Sequence, residues 1–235
     1  VFVVNNAAPK PCKKNAKTRR AGSPAKRDSD TISTMVRWYH TIFTAYGFWL
    51  PNDPRGSWSD FVGAWDLFYG AGHATKTFER RSLAHDTHDS VRRRDAKSLL
   101  KYDPVRFNEQ QRDCIAAGIE RACNDAEIDV HALAVSHDHV HAIVARHNDD
   151  IEQIVRRFKS MATKQMNLDG CHPLQKFVQP GKPAPTPWAD GCWKVFINDD
   201  RQLQAAIEYV NRHPAKDRLP FQRWSFIKPP VFRTV

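Results

Sequence analysis

Cysteine is scarce and poorly placed for pairing. The 235-residue chain has five, Cys12, Cys114, Cys123, Cys171 and Cys192, an odd number with no C-x-x-C pair among them. That argues against a disulfide-framed scaffold and against a zinc ribbon, and it fits a reducing compartment. No stretch approaches the run of about 18 apolar residues that a membrane-spanning helix needs. The opening VFVVNNAAPKPC does not have the layout of a secretory signal, because its apolar run is four residues long and its charges follow that run. The first residue is Val1, so the natural start is expected to lie upstream. Internal repeats are absent, and so is the G-x-x-x-x-G-K-[ST] loop of a P-loop nucleotide site.

What is present is positive charge and a core. Apolar residues make up 41% of the chain, enough for one packed domain. The formal charge is +10, and residues 1–34 hold +6 of it, from eight Lys/Arg against Asp28 and Asp30. An arm of Lys, Arg, Pro, Ala and Ser buries too little to fold, so residues 1–34 are predicted to be a disordered basic arm. Such arms bind polyanions without sequence choice, or are merely solvated. Residues 35–235 are expected to form one domain, with an inserted excursion over about 51–104 that is poorly periodic and contains at most one short helix.

The remaining periodicity alternates between strand and helix. Arg37–Leu50 (RWYHTIFTAYGFWL) is aromatic and β-branched and reads as a strand that Gly47 kinks. Asn108 and Gln111 stand at capping-box spacing before a helix with Ile115, Ile119 and Ala122 on its apolar face. Strands are predicted at Val130–Ser136 and His139–Ala145, joined by a turn at His137-Asp138. Asp150 and Gln153 repeat the capping-box spacing before the stripe Ile151, Ile154, Val155, Phe158 and Met161/Ala162. A Gly/Pro-rich loop leads to a short strand at Trp193–Ile197. A last helix is expected from about Asp199 to a stop before Pro214, since the residue ahead of proline avoids the α region. This order predicts an α+β fold, an antiparallel sheet with helices packed on one face.

HDHVHAIV, His137 to Val144, sets three histidines into a buried-looking strand. Side chains alternate across a strand, so His139, His141 and Ile143 share one face while Val140, Ala142 and Val144 share the other. Residues i and i+2 are roughly 7 Å apart, so two imidazoles there can lean onto one cation. The alternative is a pair of histidines on a solvated sheet surface. On the last helix Leu203, Ile207 and Val210 lie within about 60° of arc and face the core. Tyr209 and His213, at i and i+4, stack on the flank of that stripe. Taken alone, Tyr209 is equally an amphipathic residue at a core margin.

In this order the motifs resemble the HUH single-tyrosine (Y1) transposases, the IS200/IS605-like and REP-associated enzymes. The likeness runs through HDHVHAIV, IEQIVRRFKSMATKQMN, PWADGCWKVFI and IEYVNRHPAKDRLP, and covers about residues 36–50 and 105–225. It implies a ferredoxin-like or RRM-like sheet and metal-dependent cutting and rejoining of single-stranded or hairpin DNA, that is, DNA transposition. Tyr209 would be the nucleophile, with a 5′-phosphotyrosine intermediate. A divalent metal, Mg²⁺ or Mn²⁺, would sit on His139 and His141, with His213 as third ligand in place of the amide usual in the family. Lys159, Arg156, Arg157 and Lys164 become candidates for phosphate contact, and Trp188 and Trp193 for stacking on unpaired bases; the plain alternatives are a solvated helix face and core packing. His137 and the Arg92–Arg94 run are secondary. The likeness also implies a cytoplasmic, nucleoid-associated protein without a membrane partner. A homodimer is an open alternative, because in that family the tyrosine helix serves its own subunit or its partner's. Two rival readings stand beside it. One is a histidine-triad nucleotide hydrolase built on H-x-H-x-H, although Asp138 breaks its pattern. The other is a domesticated, non-catalytic single-stranded nucleic-acid-binding protein that keeps the fold.

Overall fold

The computed structural model describes residues 36–50, 89–182 and 184–230. The predicted basic arm at 1–34 and most of the 51–104 excursion lie outside them. The elements, in chain order, are β1 (Trp38–Thr44), α1 (Ser90–Ser98), α2 (Glu109–Ala126), β2 (Val130–Val135), β3 (His139–Ala145), α3 (Ile151–Leu168), β4 (Trp193–Ile197) and α4 (Asp200–Lys216), with a 3-10 turn at Gln175–Phe177. The Arg92–Arg94 run lies on α1, the one short helix allowed for in the excursion.

The four strands form one antiparallel sheet in the order β2-β3-β1-β4. Each half of the fold is a strand, a helix and a second strand not adjacent to the first, interleaved with the other half, which is the ferredoxin-like arrangement. β1 is shorter than its sequence suggests. After Ala45, which bridges to Trp188, the chain turns at Gly47 with φ of +86°. A Cβ at Gly47 would also meet Pro104 Cα at 2.8 Å, so both backbone shape and space demand glycine.

Both predicted capping boxes are present. At α2, Asn108 Oδ1 accepts from the Gln111 backbone N–H while Gln111 Oε1 accepts from that of Asn108, and Asp150 and Gln153 form the same pair at α3. The two helices bury Ile115, Ile119, Ala122, Ile154, Val155 and Phe158 against the Val140, Ala142 and Val144 face of β3 and Phe43 of β1. α2 and α3 approach closely at Gly118, where a Cβ would stand 2.5 Å from Ala162 Cα and 2.6 Å from the Met161 carbonyl oxygen. Those are backbone atoms that cannot swing aside. Gly118→Ala should therefore lower the unfolding free energy by about 1–3 kcal/mol, the usual range for overpacking, as a fall in the denaturant midpoint with unchanged slope.

One layer differs from expectation. α2 and α3 occupy one face of the sheet, but α4 crosses the other. Leu203 and Val210, with Ala206 and Ile207 beside them, pack on Trp38, Ala132, Ala134, Ile143 and Ile197. β3 is consequently buried on both faces, and the histidine side of the sheet is roofed by a helix rather than open to water. α4 also runs through Pro214 to Lys216 instead of stopping before it. A proline this late removes one N–H near a terminus where the ladder is ending anyway. The burial of Val210, His213 and Pro214 holds the turn. Asp217 and Leu219 N–H groups then both donate to the Pro214 carbonyl, with Arg218 in the left-handed region at φ of +58°.

Beyond α4 the chain runs along the outer edge of β2. The Gln222 side-chain amide donates to Val135 O and accepts from Val135 N–H, both at 2.8 Å. Trp224 Nε1 donates to Leu133 O, and the Lys228 N–H donates to Val130 O. An otherwise unpaired strand edge is thereby satisfied.

Candidate active site

β3 starts at His139, directly after the His137-Asp138 turn, and its alternation sends His139 and His141 to the α4 side. His139 Nδ1 donates to Asp138 Oδ1 at 2.6 Å, and in the tautomer this bond selects Nε2 is a lone pair. His141 is 3% exposed. Its Nδ1 lies 2.9 Å from Nε2 of His40 on β1, and the two rings stack with centroids 5.2 Å apart. His40 pairs across the sheet with Ile143, one position diagonal to His141.

α4 closes the site from above. The i, i+4 spacing places Tyr209 and His213 on one flank, with ring centroids 5.5 Å apart. The His213 ring is 4.1 Å from that of His141 and 4.9 Å from that of His139, and its Nε2 is 2.7 Å from His139 Nε2. Tyr209 lies 5.6 Å from His141 and 5.9 Å from His40, centroid to centroid. Lys216, two turns further along α4, holds its ammonium 4.2 Å from the centre of the Tyr209 ring. Tyr209 stays 41% exposed, whereas His213 is 8% exposed, more deeply buried than its sequence position on the helix flank suggests.

Burial dominates the electrostatics. It holds His40 and His213 down to about 4, with the charge of His213 adding to the shift at His40 and that of His139 at His213. Burial followed by the charges of His139 and His213 holds His141 well below the ordinary imidazole value. These rings are therefore neutral near pH 7, the form that ligates metals. Burial and then Asp217 push the Tyr209 phenol up, so without a cation the pocket resists a phenolate. One atom stands out. Because His139 Nε2 is a lone pair, the bond to His213 needs the proton on His213 Nε2. His213 Nδ1 is then a second lone pair, buried and without a partner among the described residues. One ligand atom from each of His139, His141 and His213 lies within 4.8 Å of the other two. Three converging imidazoles, one with a buried ring nitrogen that has no partner among the described residues, are a donor set that fits a divalent cation of the transition series.

The site opens into a cavity of about 710 Å³. His137, Asp138, His139, His141, Tyr209 and His213 form one part of its wall, and Trp49 and Trp193 another, with ring centroids 6.5 Å apart. Arg106, Lys216 and Arg218 bring positive charge to the rim, and Asp217 a carboxylate.

The remaining predicted residues are dispersed. Arg156, Arg157 and Lys164 are exposed on α3, across the sheet from the histidines, and Arg157 pairs with Asp149 at 3.5 Å. Lys159 points inward instead of toward a phosphate. Its ammonium donates to Ala189 O and Gly191 O at 2.6 Å each, and burial draws its pKa to about 8. The native fold therefore binds fewer protons at Lys159 than the unfolded chain between about pH 8 and the unfolded value of 10.5, so stability attributable to it rises with pH across that window. Chemical denaturation of wild type and Lys159→Met at several pH values should show this rise as a difference that disappears in the variant. Trp188 is a core residue, 5.5 Å from Phe43 and donating through Nε1 to Thr163 Oγ1, whereas Trp193 lines the cavity. His137 sits in the turn beside Arg112 Nη1 at 3.4 Å. Sequence reading missed His40, Trp49, Arg106, Lys216 and Arg218. A strand alternation that sets His40 on the Ile42 side of β1 was the only local signal for any of them.

With this geometry in place, comparisons with known proteins are informative. Residues 98–213 match the model of the IS200-like transposase family. No curated protein matches the chain. Among solved structures, a REP-associated tyrosine transposase bound to a REP hairpin aligns at 12% identity over 83% of this chain and 93% of its own, with a TM-score of 0.39. A protein of Deinococcus radiodurans R1 assigned by inference as a transposase aligns at 13% identity over 78% and 96%, with a TM-score of 0.34. The matched stretch begins at the end of α1 and closes on His213, so it contains β2, the HUH strand, both helices of the first layer, β4 and most of the tyrosine helix: over that stretch the chain is similar to the IS200-like transposase family.

Proposed function

We propose that the chain cuts and rejoins single-stranded DNA, with Tyr209 as nucleophile and His139, His141 and His213 as ligands of Mg²⁺ or Mn²⁺. The observation that supports this is the convergence on one cavity of three imidazoles, two from β3 and one from α4, and a half-exposed phenol from α4. A bound divalent cation would offset phosphate charge and polarise the scissile oxygen. Tyr209 Oη attacks phosphorus, an Oη–P bond forms, and the P–O3′ bond breaks. The phenol proton goes to solvent, and the departing 3′ oxygen takes one up. The resulting 5′-phosphotyrosine keeps the energy of the phosphodiester, so a second 3′-OH can reverse the step and join strands without ATP.

The rest of the cavity supports the same substrate. Arg106, Lys216 and Arg218 would meet the phosphates that flank the break, and Trp49 and Trp193 the unpaired bases. Arg156, Arg157 and Lys164 face away and would serve only a DNA that wraps the molecule. We propose hairpin-bearing single-stranded DNA as the partner and the nucleoid as the place of action; no described helix is long and apolar enough to cross a membrane. A histidine-triad hydrolase finds less support, because His137 lies in the turn ahead of β3 and only His139 and His141 share the strand.

The test is incubation of the full chain with Mn²⁺ and a single-stranded hairpin labelled at its 3′ end. A 5′-phosphotyrosine retains the downstream fragment, so the 3′ label should migrate with denatured protein while a 5′ label is released. Tight binding with no adduct would instead identify a domesticated binding protein.

A further inference from the structure

Both histidines of the HUH strand have Nδ1 occupied, and from different directions. His139 Nδ1 is held by Asp138, its neighbour in the turn, at 2.6 Å. His141 Nδ1 is held by His40, 101 residues earlier and on another strand, at 2.9 Å. A ring with Nδ1 committed to a hydrogen bond has only Nε2 left for a cation, and the bond fixes the rotation of the ring as well as its tautomer. His40 is itself fixed, because it is stacked on His141, flanked by the Tyr209 ring and seated on the central strand β1.

We propose that His40 is a positioning residue that accepts the Nδ1 proton of His141 and so aims Nε2 of His141 at the cation, the part that Asp138 plays for His139. The inference rests on the metal reading of His139, His141 and His213. It asks of position 40 an acceptor of suitable reach, not an imidazole as such.

His40→Leu removes the acceptor and His40→Gln keeps one in its side-chain carbonyl. Two measurements on the full chain decide the matter. Long-range ¹H–¹⁵N spectra of the metal-free protein should show His141 protonated at Nδ1 in wild type and in His40→Gln, and as a tautomer mixture in His40→Leu. Titration with Mn²⁺, followed by the paramagnetic resonance of the free ion, should show His40→Leu binding about 10–100-fold more weakly than wild type, with His40→Gln restoring most of the loss. His141 protonated at Nε2 in wild type would overturn the proposal, a reading that needs no variant to fold. So would His40→Leu binding Mn²⁺ as tightly as wild type, or His40→Gln binding as weakly as His40→Leu. Each of those results leaves a wild-type protein that still binds Mn²⁺ and forms the DNA adduct. Wild type that binds no Mn²⁺ removes the metal reading and this inference together.

Discussion

Tyr209→Phe should form no denaturation-resistant DNA adduct at all, while binding the same hairpin as wild type does. The variant removes one oxygen and keeps the ring that packs beside His40, His141 and His213 and under the Lys216 ammonium. Tyr209 is 41% exposed and, among the described residues, no hydrogen bond of its hydroxyl holds the fold together, so stability should stay within about 0.5 kcal/mol, as is usual for surface changes. The loss is absolute in kind because in the proposed reaction the hydroxyl oxygen is the atom that becomes joined to phosphorus. A 3′-labelled hairpin, electrophoresed after denaturation with each protein, makes the comparison directly. Persistence of the labelled band in Tyr209→Phe would move the nucleophile to another side chain and dismantle the proposed chemistry.

The second large effect is expected from His139→Ala combined with His141→Ala. Two of the three proposed ligands disappear, and His213 alone should hold a divalent cation no better than an ordinary surface histidine. Mn²⁺ binding should drop below detection, adduct formation should stop, and added Mn²⁺ should not restore it. Chelation of wild type should produce the same arrest, reversed by returning metal. Folding should survive, because the removed rings border the open cavity rather than belonging to the main apolar cluster. Equal adduct yields with and without chelator would show that the three imidazoles do some other work.

Much of this was readable from local pattern. Alternation along HDHVHAIV places His139 and His141 together, and i, i+4 spacing places Tyr209 beside His213, because both rules concern neighbours in the chain. The capping boxes at Asn108 and Asp150 are equally local. What pattern could not supply is which element lies against which. The apolar stripe of α4 says that it buries Leu203 and Val210, not that it does so on the sheet face opposite α2 and α3. His40 enters the site only through the register that sets Ile42 opposite His141. Lys159 shares a helix with Arg156 and Lys164 and has the same sequence signal. Its ammonium turns inward because two carbonyls of the 189–191 loop, some thirty residues later, happen to converge there. Pro214 is a case where packing overrode a sound local rule.

The Gln222 side chain has a bearing on how copies of this protein can meet. By completing the hydrogen bonds of Val135, it makes the β2 border chemically deaf to another backbone. At the opposite border, among the described residues, no strand pairs beyond β4, where Val195 and Phe196 are exposed. Any lengthening of such a sheet by a second copy could run only from the β4 margin, and a pair made that way would present only closed margins. Growth without end, the hazard of open-sided sheets, is thereby foreclosed by the segment from Gln222 to Lys228 that lies along β2.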